Sequence, residues 1–312
     1  MGVLLLLVTT FIWGTAFLAQ KFGADHLGPV AFTVLRNVLG GLFLLGAIAV
    51  RAVRRSGAAE RLPEVRDVRG SVLAGVCCGI PLFLAMSSQQ VGVGYTTPGI
   101  CAFLTTNYVL FVPVFASVLT RRLPRPYVLL GAVLALVGTY FICMTGEGHA
   151  AESFNGIGKG ELWSVLCAVL FAVQMLVVDR FARRVDLLVM SATQLLTCAV
   201  IGLPLMFLLP SESAKLSVGS LSAAAIPLVY CGVFSSGIAY TLQNVAQSRV
   251  SASLAGILLS LESVFGALSG WLVLGDRLSV GQLAGCATVF AAAVLTQILS
   301  VRGSAGPDVR PI

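Results

Sequence analysis

Val-Ser-Ala-Ser-Leu-Ala-Gly-Ile-Leu-Leu-Ser-Leu-Glu-Ser-Val-Phe-Gly-Ala-Leu-Ser-Gly-Trp-Leu-Val-Leu-Gly-Asp-Arg-Leu-Ser, residues 250–279, is the stretch whose reading decides the rest. Between Ser251 and Leu274 it runs 24 residues without a basic side chain. At ~1.5 Å of rise per residue that length crosses a hydrocarbon core ~30 Å thick. Its single ionisable residue, Glu262, lies 11 residues from Ser251 and 12 from Leu274, so a straight helix holds the carboxylate near the bilayer midplane. An ionisable group at that depth is a functional-site hypothesis by default, because its retention opposes the membrane's own preference.

The rest of the chain has the same character. It is 57% hydrophobic and 11% charged, with a mean hydropathy of +0.96, too little polar surface for a water-soluble globule of 312 residues. The chain reads as an all-α integral membrane protein. Its basic excess, 20 Lys and Arg against 13 Asp and Glu, sits in short gaps between apolar runs. A nucleic-acid partner would need that charge gathered on a soluble domain, so none is expected. The eight cysteines all fall inside apolar runs and form no metal-type C-x-x-C pair, which makes them packing residues.

Ten apolar spans follow, near 3–20, 29–50, 70–90, 95–119, 126–144, 161–178, 187–209, 222–245, 251–274 and 281–300. The first has no basic residues ahead of it and no convincing cleavage site, so it is expected to stay as a membrane helix. With the N-terminus inside, the inner loops hold 15 of the 20 basic residues, among them Arg51, Arg54, Arg121, Arg122, Arg180, Arg183 and Arg249. The outer loops hold 4, Lys21, Lys159, Lys215 and Arg277, and Arg36 lies within the second span. Lys and Arg stay cytoplasmic in short loops, so both termini are expected in the cytoplasm of a cell-membrane protein. One span more or fewer would scramble the split, so the charge map supports the number of spans as well as the orientation.

Shifting residues 95–124 forward by 155 lays them on 250–279 and pairs Asn107 with Glu262 and Arg122 with Arg277. Five spans per half is an odd number, so the halves face opposite ways, the inverted-repeat arrangement of secondary transporters. The expected halves are 3–144 and 161–300, joined by an external polar loop at 145–160 and followed by a cytoplasmic tail at 301–312.

Leu261-Glu262-Ser263-Val264-Phe265-Gly266-Ala267-Leu268, then Gly270-Trp271 and Leu274-Gly275-Asp276-Arg277-Leu278-Ser279, resembles the ninth helix and following loop of EamA-type transporters of the drug/metabolite transporter superfamily. The family pattern has Pro where Ser263 stands and Glu where Asp276 stands. The resemblance covers nearly the whole chain and implies the same five-plus-five arrangement and an exporter of amino acids or other small metabolites.

The polar residues inside the apolar spans are the candidate substrate or proton pathway. Trp13, of a Trp13-Gly14 pair that matches the family's first helix, either lines a cavity or only packs. Arg36 either binds an anionic group of a substrate or anchors structurally, paired to a carbonyl. Asn107 and Tyr108 in span four and Tyr240 and Gln243 in span eight either face a substrate or hydrogen-bond between helices. Gln20, Gln89, Gln90, Gln174 and Gln194 are weaker candidates, since several lie near the estimated span ends. Gly75 and Gly79, like Gly266 and Gly270, have the spacing of close helix crossings, and Pro81, Pro113, Pro204 and Pro227 are expected to interrupt spans three, four, seven and eight.

No G-x-x-x-x-G-K-[ST], H-E-x-x-H or G-x-S-x-G motif occurs, so the chain reads as neither an ATPase nor an intramembrane enzyme, and no cofactor is expected. The expected partners are a small-molecule substrate, the lipid bilayer and protons. A non-transporting receptor or scaffold is the alternative. An ionised carboxylate near a helix centre costs on the order of 3 kcal/mol on insertion scales. Glu262 is therefore expected either to exchange a proton during transport or, permanently protonated, to bond a neighbouring helix.

Overall fold

The structure, a computed structural model, describes residues 1–56, 67–96, 98–144, 158–269, 271–272 and 278–304. The expected external loop, the tail beyond Ser304, Gly270 and Arg277 lie largely or wholly outside the described residues. Within them, ten helical segments are long and apolar enough to cross a bilayer, and no strand occurs.

The first three spans are α1 (Gly2–His26), α2 (Pro29–Ser56) and α3 (Val68–Tyr95). Span four is divided into α4 (Pro98–Thr106) and α5 (Tyr108–Thr120), and span five is α6 (Pro126–Met144). Then come α7 (Lys159–Phe181) and α8 (Leu187–Leu208), followed by the short α9 (Pro210–Ser213) and α10 (Val218–Ala223). Span eight is α11 (Ala225–Val229), a ten-residue π-helix (Tyr230–Ala239) and α12 (Tyr240–Gln247). Span nine is α13 (Ala252–Leu259) and α14 (Glu262–Ser269), and span ten is α15 (Val280–Ser304). Capping is local: Asp67 accepts from the Arg69 N–H at the start of α3, and Asp186 from those of Leu188 and Val189 at the start of α8.

Two expectations about helix shape are overturned. Span nine is not a straight helix, for it breaks at Ser260 and Leu261, immediately before Glu262. No proline is needed there. The Ser260 hydroxyl donates to the Ile257 carbonyl (2.6 Å), supplying a partner that lipid cannot offer, and the Ser260 carbonyl accepts both the hydroxyl (2.8 Å) and the backbone N–H (3.2 Å) of Ser263. Conversely, α3 and α8 run on through Pro81 and Pro204. One lost intrahelical bond is tolerated where neighbouring helices pack on both sides.

Spans three and six pack together, as do three and seven, two and seven, five and ten, one and nine, one and eight, two and eight, and four and six. Adding five to each number returns the same set: three–six becomes eight–one, three–seven becomes eight–two, and four–six becomes nine–one. Two–seven and five–ten map onto themselves. This pattern is consistent with two five-helix halves related by an axis in the membrane plane, and the breaks at Asn107 and at Ser260–Leu261 fall at nearly corresponding places under the 155-residue shift.

Close approach is built from small residues. A Cβ on Gly75 or Gly79 of α3 would stand 2.7 Å from the carbonyl oxygen of Met190 or Gln194 on α8. At Gly14 of α1, it would meet the Glu262 carbonyl oxygen at 2.6 Å and Phe265 Cβ at 2.7 Å. Gly14 thus seats α1 directly on the broken span nine, at the residue that carries the carboxylate.

Candidate functional site

A pocket lies at the centre of the bundle, lined from five spans by Trp13, Arg36, Tyr108, Tyr240, Gln243 and Glu262. Six of the seven sequence candidates therefore share one cavity. Each is delivered by a local irregularity or a close contact. Tyr108 opens α5 directly after the break at Asn107, and Glu262 opens α14 after the break at Ser260–Leu261. Tyr240 and Gln243 follow the π-helix, whose wider turn leaves Ser235 facing the same cavity.

Glu262 is 5% exposed, and its Oε1 accepts a hydrogen bond from the Tyr108 hydroxyl at 3.2 Å. Arg36 is 4% exposed and does not reach the interface as a snorkelling anchor would. Its guanidinium is turned inward onto the π-helix, where Nε donates to the Ser236 hydroxyl (3.1 Å) and an Nη to the Ser235 hydroxyl (3.0 Å). Two serine hydroxyls fix its direction without neutralising its charge. Arg36 and Glu262 line one cavity yet make no ion pair, and Arg51–Asp186 is the salt bridge found among the described residues.

Trp13 is half-buried, donates its indole N–H to the Ser235 carbonyl (3.1 Å) and packs its ring on Tyr240 at a centroid distance of 4.8 Å. It lines the cavity and packs at once. The cavity volume is about 40 Å³, room for about three waters at ~10–15 Å³ each.

Asn107 stands apart from this group. Its amide donates to the carbonyl of Phe103 (3.2 Å), which loses its usual backbone donor at the break in span four, and to that of Leu104 (3.0 Å), which also accepts the Asn107 backbone N–H (3.2 Å). The side chain closes its own helix break.

Gln20 and Gln89 do line the cavity. They looked terminal because the apolar runs end near them, whereas α1 continues to His26 and α3 to Tyr95, placing both more than a turn inside their helices. Phe17, Thr105, Phe171, Met175, Ser235 and Leu259 also contribute to the wall, and nothing in their local sequence separates them from ordinary packing residues. Among the described residues, no three His, Cys, Asp or Glu side chains gather as metal ligands, and all eight cysteines are free thiols.

The architecture has solved counterparts. One crystal structure superposes with a TM-score of 0.76 at 22% identity, covering 97% of this chain and 99% of its own, which establishes a shared fold. By sequence, the chain is 24% identical to an uncharacterized transporter of Archaeoglobus fulgidus, over 94% of this chain and 84% of that protein. It is 26% identical to the threonine/homoserine exporter RhtA of Escherichia coli strain K12, over 94% and 89%. The uncharacterized transporter YoaV of Bacillus subtilis strain 168 is 23% identical over 88% and 89%. Residues 1–144 and 158–298 each match the model of one membrane-transporter family, on either side of the polar stretch that separates the two sets of five spans, and the chain accordingly belongs to the EamA-like transporter family.

Proposed function

We propose that this membrane transporter exports a small zwitterionic, amino-acid-like solute by alternating access, in exchange for protons. The two matched segments act as the two halves, with both termini in the cytoplasm of the cell membrane. The observation that carries the reading is the pairing of Arg36 and Glu262 in one buried pocket with neither neutralising the other. A guanidinium held by two hydroxyls presents its remaining N–H donors to a carboxylate, and bidentate recognition of that group is what Arg geometry favours. On the other wall, a carboxylate receives an ammonium group. The name borne by the Escherichia coli relative, an exporter of two amino acids, agrees with this charge pattern.

Coupling follows from Glu262 holding either a proton or the substrate's ammonium, not both. When the pocket faces the cytoplasm, the incoming ammonium displaces the proton; when it faces outward, a proton displaces the ammonium. The Tyr108 hydroxyl, 3.2 Å away, donates to the carboxylate in its charged form and so holds its orientation between exchanges. Trp13 and Tyr240 form an aromatic wall beside the backbone of the solute.

The test is uptake into proteoliposomes loaded at a set pH, with a panel of labelled amino acids. Glu262→Gln keeps size and most hydrogen bonding but cannot exchange a proton. It is expected to abolish uphill, pH-gradient-driven transport while inserting normally, and Arg36→Lys to raise KM at least tenfold by losing the bidentate fork. Wild-type coupled transport by Glu262→Gln refutes the coupling. An absence of flux across the whole panel favours a receptor or scaffold instead.

A further inference from the structure

Beside the pocket, towards the end of the bundle that carries Arg51, Arg121, Arg122, Arg180 and Arg249, the structure buries a layer of amides from three helices. Gln174 lies seven residues from the end of α7 and Gln194 seven from the start of α8, each about 10 Å in from the basic end by helix rise. Gln243, Asn244 and Gln247 come from α12, which packs on both α7 and α8. All five are at most 1% exposed.

Part of the layer is bonded internally. Gln243 donates to the Gln247 side-chain oxygen (3.0 Å), Gln247 to the Met175 carbonyl (3.0 Å) and Asn244 to the Ser191 hydroxyl (2.9 Å). The rest is not. Both amide atoms of Gln174, both of Gln194, Oε1 of Gln243 and Oδ1 of Asn244 are buried without a protein partner. A buried amide atom in that state carries its full desolvation penalty, and folded proteins tolerate only a few.

The opposite side of the pocket supplies the contrast. There, Gln20, Asn37 and Gln90 leave only oxygens open. The Asn37 amide nitrogen donates to the Thr33 carbonyl (2.7 Å), and that of Gln90 to the Gln20 carbonyl (3.2 Å). A carbonyl-type oxygen short of one donor is commonplace; a side chain with neither end satisfied is not. Gln174 and Gln194, on helices that both pack against α12, each therefore suit a partner that both donates and accepts, is small enough to fit beside a buried amide and is present in bulk.

We propose that the amide layer of α7, α8 and α12 binds a cluster of ordered water and forms the hydrated path joining the pocket to the basic end of the bundle. Gln243 belongs to both, lining the pocket and bonding into the layer, so it is the point where the path opens into the cavity. Such a path conducts protons and small hydrated cations without any protein hydrogen bond having to break. It stands independently of which solute the pocket carries.

The test uses single cysteines on a background lacking the eight native ones, in proteoliposomes, with Ag⁺ as the probe. Silver ion follows water-filled paths and reacts with thiols, and protection from a later maleimide under denaturing conditions reads the extent of reaction. Gln174→Cys and Gln194→Cys are expected to react at least tenfold faster than Leu195→Cys, a fully buried neighbour at the same depth, when Ag⁺ is added at the basic face. Rates equal to that of Leu195→Cys, or reaction only from the opposite face, overturn the proposal. Thermal unfolding in detergent gives a second readout. Gln174→Leu and Gln194→Leu remove polar atoms at nearly constant volume, so a dry layer predicts a rise in Tm and a water-bound one an unchanged or lower Tm. A rise overturns the path. Neither measurement depends on transport, so a wrong solute leaves both intact.

Discussion

Spans two and seven and spans four and nine are both pairs related across the two halves, yet the bundle treats them oppositely. Spans two and seven are continuous and clamped at both ends. On the basic side, Asp186 caps α8 while pairing with Arg51 of α2 at 2.9 Å, and its backbone N–H donates to the Ser71 hydroxyl of α3. On the other side, Glu212 of α9, 3% exposed, accepts from the Ala31 N–H in the first turn of α2 at 2.9 Å. Spans four and nine are instead broken near their midpoints, where Tyr108 and Glu262 enter the pocket. The contrast teaches that the two pairs reach the same pocket in different ways: one is held by charge at its ends and presents Arg36 from an unbroken helix, the other is opened at its centre.

The most damaging test of that contrast is Gly14→Val. Its added carbons would overlap the Glu262 carbonyl, and overpacking of this kind costs about 1–3 kcal/mol. Loss of transport with a clear fall in Tm is expected; a variant that expresses and transports normally would mean that α1 does not seat on the broken span. The outer clamp comes next. Glu212→Ala removes the acceptor at the start of α2 and is expected to lower stability by about 1–2 kcal/mol, read as thermal unfolding in detergent, with KM unchanged.

The inner clamp is sharpened by pH. Burial by itself raises the Asp186 pKa, but the Arg51 guanidinium and the N–H groups of Val189 and Leu188 outweigh it and leave the carboxyl below its ordinary value. A depressed carboxylate contributes stability above its unfolded pKa, about 4, and loses that contribution as pH falls through the lower folded value. The Tm gap between wild type and Asp186→Ala, equivalent to about 1 kcal/mol, should be constant from pH 5 to 8 and close below pH 4. A gap that persists in acid removes the carboxylate's charge from the account. The smallest effect is expected at Asn107. Asn107→Ala should cost about 1 kcal/mol of stability and leave transport kinetics alone, whereas a tenfold rise in KM would return this residue to the substrate.

Much of this molecule was legible in one dimension. Lipid replaces water as the solvent along each span, so run length and the distribution of arginines sufficed to count ten helices, and a lone carboxylate in an apolar run marked Glu262. The same reasoning singled out Trp13, Arg36, Tyr108, Tyr240 and Gln243, which line one cavity, because a polar group in lipid must turn inward and the interior of a ten-helix bundle is small.

Which inward residues meet, and where the helices yield, was decided only in three dimensions. Asn107 and Glu262 align in sequence, but one closes a helix break with its own amide while the other crosses to Tyr108 of the opposite half. In sequence Arg36 fits an anion-binding group and a structural anchor alike, and only the π-helix of span eight, presenting Ser235 and Ser236, turns its guanidinium inward. The prolines of α3 and α8 leave their helices whole, while span nine breaks at a serine. Composition alone could not separate these outcomes, because a backbone group freed in lipid is tolerated only where some neighbour, usually distant in sequence, completes its hydrogen bonds.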